Sequence, residues 1–249
     1  MNQHTVKAYG DELNQLTAEV VRMGGLAEAQ VADAIESVAR RDVALAKAVI
    51  ERDERLDVMH REIEKKSIRL IALRQPVASD LRRTLGAIKL ATDLERTGDL
   101  AKNIAKRALI LADGAPIQPL TRSIERMGRL VSTRLRDVLD AYTAAEIEPA
   151  LQVWGTDDEV DEHYNALFRE LLTYMMGDPR TITACTHLLF MAKNLERIGD
   201  HATNIAETVY YEITGEDIIG ERPKAVPGPG EDPTPTPHVA TPPADPAED

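Results

Sequence analysis

Apolar residues recur at spacings of three and four through most of the chain. Leu13, Leu16, Val20, Met23, Ala27, Val31, Ala34 and Val38 follow this rule early, and Leu120, Ile124, Met127, Val131, Leu135, Val138 and Tyr142 follow it past the middle. Such spacing returns each side chain to one face of a 3.6-residue turn and predicts long amphipathic helices. Six are expected, over 5–39, 43–74, 77–112, 119–143, 148–176 and 180–213. Proline, which removes a hydrogen bond and clashes with the preceding turn, marks the breaks. Pro76, Pro116, Pro119, Pro149 and Pro179 fall in or beside them, and the other nine of fourteen prolines lie between Pro223 and Pro246. From Glu221 on there is no aromatic residue, Leu or Ile, so residues 215–249 are expected to be a disordered, acidic, Pro-rich tail.

Asp113-Gly114-Ala115-Pro116 divides the helical body into halves, 1–113 and 119–214, and the halves repeat one another. Ala91–Lys106 aligns on Ala192–Glu207 with ten identities in sixteen positions. Arg22-Met23-Gly24-Gly25-Leu26 returns as Arg126-Met127-Gly128-Arg129-Leu130, and Asp53–Asp57 returns as Asp157–Asp161, both 104 residues later. A duplication spanning all three helices of each half predicts an all-α fold of two tandem three-helix bundles related by a pseudo-two-fold.

Composition sharpens this picture. Aromatic residues make up 4% of the 249, against 43% apolar overall, a balance suited to helices and poor for a β-sandwich. The formal net charge of −12 supplies no basic field for nucleic acid. Cys185 is the single cysteine and can form no intrachain disulfide, and the N-terminal residues show no signal-peptide pattern, so the reducing cytoplasm is expected. The longest uncharged run before the tail, Thr181–Ala192, has twelve residues, well short of the ~20 a spanning helix needs. Any membrane contact is expected through partners.

Each half carries two acid pairs at i, i+4: Asp53/Asp57 and Glu95/Asp99, then Asp157/Asp161 and Glu196/Asp200. Like charges a turn apart destabilise a helix by about 0.2–0.5 kcal/mol, so four such pairs require a cause. In an antiparallel hairpin, residues equidistant from the turn lie side by side. Asp53 with Asp99 and Asp57 with Glu95 share the midpoint Pro76, and the second-half pairs share a midpoint between Asp178 and Pro179. Both midpoints are predicted breaks, so each half should gather four carboxylates at one level. Metal ions or arginines must neutralise them. Oxygen-only ligands favour Mg, Ca, Mn or iron over a closed structural zinc site, and four carboxylates have room to bridge more than one ion. Gly98 and Gly199 leave space beside the aspartates, and Asn103 and Asn204 extend the acid stripe by a turn. The metal-free alternative pairs the acids with Arg96, Arg197, Arg82 or Arg83. No histidine supplies the Glu-x-x-His motif of ferritin-like di-iron sites. His201 is rotated off the acid face, His60 and His163 suit the surface, and Cys185 and Trp154 read as packing.

Asp80-Leu81-Arg82, leading into Leu94-Glu95-Arg96-Thr97-Gly98-Asp99 and its second copy Leu195-Glu196-Arg197-Ile198-Gly199-Asp200, resembles the PhoU phosphate-uptake regulators over residues 1–215. The copies differ where Asn194 stands for Asp93 and Ile198 for Thr97, and the Pro-rich tail departs from the shorter family pattern. The resemblance implies multinuclear metal clusters (Fe, Mn, Mg or Zn) on Asp53, Asp57, Glu95, Asp99, Asp157, Asp161, Glu196 and Asp200. It implies a non-enzymatic, cytoplasmic negative regulator of the phosphate-starvation response, linking the ATPase subunit of the phosphate ABC transporter to a sensor histidine kinase, with a homodimer expected. A carboxylate-metal enzyme (phosphohydrolase or oxidase) and a metal-free helical scaffold are the competing classes. Against the enzyme stands the absence of any nucleophile or phosphate-binding basic cluster in the sequence beside the acids.

Overall fold

The computed structural model describes residues 3–114, 118–220 and 222–223. Among these there is no strand. Seven α-helices run in order: α1 Gln3–Arg40, α2 Val43–Arg74, α3 Ala78–Leu111, α4 Gln118–Ala144, α5 Ile147–Gly155, α6 Asp158–Gly177 and α7 Ile182–Thr214, with a one-turn 3-10 helix at Pro179–Thr181 before the last. No helix among the described residues is long and apolar enough to cross a membrane.

The first two helices meet at Arg41, whose φ of 53° turns the chain so that the Asp42 amide reaches back to the Ser37 carbonyl. Asp42 then caps α2, its carboxylate accepting from the Leu45 amide at 2.9 Å. The same turn recurs 104 residues later at Ala145 (φ 53°), where the Glu146 amide bonds the Ala141 carbonyl at 3.0 Å. Gln75, also left-handed, ends α2 ahead of Pro76.

Five of the six predicted helices agree with the structure to within a few residues. The fifth, expected as one helix over 148–176, is two. Gly155 carries a low helix propensity, and the Thr156 hydroxyl turns back to the Gln152 carbonyl at 3.0 Å while its backbone leaves the helical region (φ −116°, ψ 21°). The helix restarts through the Glu159 and Val160 amides on Thr156 and Asp157. Asp157 therefore stands in a break, whereas its counterpart Asp53 lies inside α2.

The two halves share one continuous core, from Leu16 through Val209, with α3 packed on α7 and α1 on α4. Reciprocal contacts display the pseudo-two-fold. A Cβ at Gly24 would meet Leu139 at 2.7 Å, and one at Gly128 would meet Ile35 at 2.6 Å, so each outer helix presses a branched side chain onto the other's glycine. Within the halves Gly98 faces Leu56 as Gly199 faces Val160. These glycines let the helices come close enough to bring the acids together.

The tail expected from Gly215 onward is not loose at its start. Gly215 (φ 81°) ends α7 with its amide on the Tyr211 carbonyl, Gly220 comes beside Trp154 of α5, and Arg222 reaches Asp157, Asp200 and Asn204. Residues 224–249, the bulk of the expected disordered segment, lie outside the described residues.

Candidate metal centre

In the first half the hairpin register places Asp53 of α2 beside Asp99 of α3, as the shared midpoint predicts. Lys102 joins them: its ammonium donates to Asp53 and, at 3.3 Å, to Asp99. Asp53 is buried, and its other oxygen accepts from the Gln30 amide at 3.0 Å, which also reaches the Gly98 carbonyl at 3.4 Å. Lys102 is held charged by the Asp53 hydrogen bond, against the opposing effect of burial. Asp57 and Glu95 follow a turn away, both half-buried, and Glu95 pairs with Arg96 at 3.4 Å.

In the second half the cation comes from elsewhere. Thr203 occupies the position of Lys102, and its hydroxyl donates to Asp157 at 2.7 Å. A lysine's length is missing there, and Arg222 fills the space from beyond α7. Its Nε donates to Asp157 at 2.7 Å, its Nη2 to Asp157 at 3.1 Å and to Asp200 at 2.6 Å, and its Nη1 to Asn204 at 3.4 Å. Asp157 and Asp200 are thus brought together by register as predicted. Burial opposes the charge on Arg222, and the bonds and attraction of Asp157, with Asp200 and Glu207 behind them, outweigh it. Glu196 is pushed up to about 7, chiefly by burial and then by Asp200, with Lys193 pulling back and Asp161 adding to the rise. Lys193 donates to Glu196 at 3.0 Å.

Of the arginines expected as metal-free partners, only Arg96 meets an acid of the set. Arg82 donates to the Glu212 carbonyl and Arg83 to Asn14 and Thr17. The cations that matter, Lys102 and Arg222, were not among the expected partners. Lys102 was legible as a mismatch within the repeat, three residues after Asp99, whereas Arg222 lies in a segment with no periodicity. Gln30 and Arg134, equivalent across the repeat, are a second difference. Arg134 is buried and donates to Glu159 at 2.8 Å. His201 bonds Asp93 of the other half at 2.8 Å and takes no part in the acid cluster, and Asn204 reaches the same carboxylate at 3.4 Å. His60 lies against Thr92, His163 is exposed and Cys185 is buried in the core.

Among the described residues no three His, Cys, Asp or Glu side chains gather as a ready-made metal site. The carboxylates are turned to Lys102 and Arg222 instead. The donor set nevertheless suits a hard cation: every group is an oxygen, and a buried Glu196 oxygen and the buried Gln30 carbonyl oxygen have no hydrogen-bond partner.

Two helical halves related by a pseudo-two-fold, each bringing two aspartates together under one basic side chain, define a duplicated helical-bundle protein with two acidic centres. A family model described as the PhoU domain matches twice, over residues 20–108 and 124–209, and the chain belongs to the PhoU family. It is 66% identical over 224 residues to a protein of Caulobacter vibrioides called "Phosphate-specific transport system accessory protein PhoU homolog", covering 90% of this chain and 97% of that one. A Rhizobium meliloti protein of the same description is 52% identical, covering 89% of this chain and 93% of its own length. The crystal structure of PhoU from Pseudomonas aeruginosa superposes with a TM-score of 0.81 at 38% identity, over 84% of this chain and all of that one. These relatives are named for an accessory role and not for a reaction, in agreement with the expectation of a non-enzymatic protein.

Proposed function

We propose that this chain is an accessory regulator of the phosphate-specific transport system. It acts in the cytoplasm as a homodimeric, metal-binding adaptor that keeps the phosphate-starvation response and phosphate uptake in check. The observation that carries this reading is the 66% identity, over nearly the full length of both chains, to a protein named for that accessory role. Its partners on this reading are the ATPase subunit of the transporter and a sensor histidine kinase.

Two oxygen-rich clusters support the metal component. Asp53, Asp57, Glu95 and Asp99 would hold ions in the first half, and Asp157, Asp161, Glu196 and Asp200 in the second. Mn, Mg or iron suits such ligands, with Zn a further fit. A bound ion would supply positive charge to these carboxylates. Lys102 and Arg222 supply part of that charge in its place.

Capture of the transporter ATPase and a histidine kinase from phosphate-replete cells by the tagged full chain tests the adaptor reading, and capture of neither overturns it. Elemental mass spectrometry of protein purified without chelators tests the metal. Asp99→Ala should lower metal content in part, and Asp99→Ala with Asp200→Ala should lower it further. Unchanged stoichiometry in the double variant overturns the site assignment.

A further inference from the structure

The paired aspartates of the two centres are bridged by cations placed differently in the chain. Lys102 is anchored one turn from Asp99 on α3 and moves only with that helix. Arg222 stands eight residues past Thr214, the last residue of α7, outside any helix. Yet it makes four hydrogen bonds, its side chain is only 19% exposed, and it engages both oxygens of Asp157 and one of Asp200. The path to this position is built. Gly215 at φ 81° lies so close to Arg82 that a Cβ there would come within 3.1 Å of the guanidinium. Gly220 at φ 130°, a conformation L side chains rarely adopt, comes beside Trp154, where an added Cβ would stand 3.9 Å from Cη2 of the ring, and the Trp154 indole donates to Glu207 of α7 at 3.0 Å. Thr203, short where the repeat has lysine, leaves the space that the guanidinium enters.

We propose that the segment after α7 is a tethered counter-ion for the second centre: Arg222 and a divalent cation compete for the same oxygens of Asp157 and Asp200, so cation binding releases the segment. This rests on the metal-binding reading above. Simultaneous occupation would place two positive groups on one pair of carboxylates, of which Asp157 already accepts three hydrogen bonds from Arg222 and Thr203 across both oxygens. The first centre has no such gate, because Lys102 is part of the helix that carries Asp99. The protein would then bind cations at one centre directly and at the other only by exposing its C-terminal segment, which makes the segment's position a report of cation occupancy. Asn204, whose carbonyl oxygen accepts from Arg222 and whose amide reaches Asp93 of the first half, would sense the same exchange.

The test uses the full chain in an Asp53→Asn, Asp99→Asn background, which removes the aspartates of the first centre, with Mn2+ as the probe. Bound Mn2+ is measured by equilibrium dialysis and the segment by amide hydrogen exchange of residues 215–220 and 222. Exchange there should rise in step with bound Mn2+. Arg222→Gln should tighten Mn2+ binding by about tenfold, the factor gained when a site occupied nine-tenths of the time is freed. In the metal-free Arg222→Gln protein the segment should exchange rapidly and Trp154 emission should shift to the red. An affinity within twofold of the parent, or protection that persists at saturating Mn2+, overturns the proposal while leaving the metal reading standing. Zero bound Mn2+ in both proteins overturns the metal reading, and the competition with it.

Discussion

Thr203 stands in the second half where Lys102 stands in the first, and each bonds the aspartate of its own half, Asp157 or Asp53. A hydroxyl contributes no charge, so that one difference leaves the Asp157–Asp200 pair to be met by a cation from outside the repeat, while Lys193 serves Glu196. The duplicated chain thus keeps its acids in both copies while bridging the paired aspartates with a helical lysine in one and an arginine from beyond the last helix in the other.

Lys102→Ala should expose the cost of a buried carboxylate left alone. Asp53 is buried, and removing one partner of a buried pair is more damaging than removing both. In metal-free protein a loss of about 1–3 kcal/mol is expected in urea denaturation. Asp53→Asn added to Lys102→Ala should recover most of it. A double variant no more stable than Lys102→Ala alone would show that the lysine acts by packing and not by charge.

Truncation should separate the two parts of the C-terminal segment. Ending the chain after Pro223 retains Arg222 and should leave the melting temperature within about 1 °C of the full chain, since residues 224–249 include no aromatic residue, Leu or Ile to add to a core. Ending it after Gly220 removes Arg222 from Asp157 and should lower the melting temperature by several degrees at low metal concentration. Equal effects of the two truncations would place the stabilising contact beyond Pro223.

How far the residues foretold this arrangement depends on the range of the interaction. Periodicity is local, and it located α1 and α4 and the breaks at Pro76 and Pro179. The hairpin register follows from those breaks alone, which is why the sequence itself sets Asp53 beside Asp99 and Asp157 beside Asp200. The break at Thr156 leaves no mark in the periodicity, because the apolar pattern continues through it and a single Gly155 costs only about 1 kcal/mol of helix propensity. Arg222 was missed because no pattern ties a residue in a Pro-rich segment to a space left by a threonine nineteen positions earlier. The Gly24–Leu139 and Gly128–Ile35 contacts were legible only as a repeated Met-Gly pair, whose partners needed the fold.

Glycine substitutions on α1 and α4 should diverge in sign. At Gly25 nothing lies within 4 Å of an added Cβ, so Gly25→Ala should gain about 0.5–1 kcal/mol from helix propensity and a less flexible unfolded chain. At Gly128 three atoms of Ile35 lie within 3.0 Å of that Cβ, and a β-branched side chain has little freedom to move aside. Overpacking of this kind costs about 1–3 kcal/mol, so Gly128→Ala should be destabilising despite the propensity gain. Equal stabilisation by both changes in thermal unfolding would refute the close approach of α1 and α4.

Glu212 gives the fold a pH dependence of predictable sign. Its carboxyl lies against Gly86 of α3 with one oxygen buried and without a hydrogen-bond partner. Burial pushes its pKa up to about 8 from an ordinary value of 4.5, with Arg83 pulling back part of the rise. Between those values the folded protein holds a proton that the unfolded chain releases, so stability falls as pH rises from about 4.5 to about 8 and levels off above. Glu196, raised in the same direction, contributes to the same slope. Glu212→Gln keeps the shape and removes the ionisation. It should therefore leave stability near the parent's at pH 5 and exceed it by about 1–3 kcal/mol at pH 8.5. Urea midpoints of the two proteins at both pH values decide the matter: an unchanged difference between pH 5 and pH 8.5 would mean that Glu212 is ionised in the folded protein throughout.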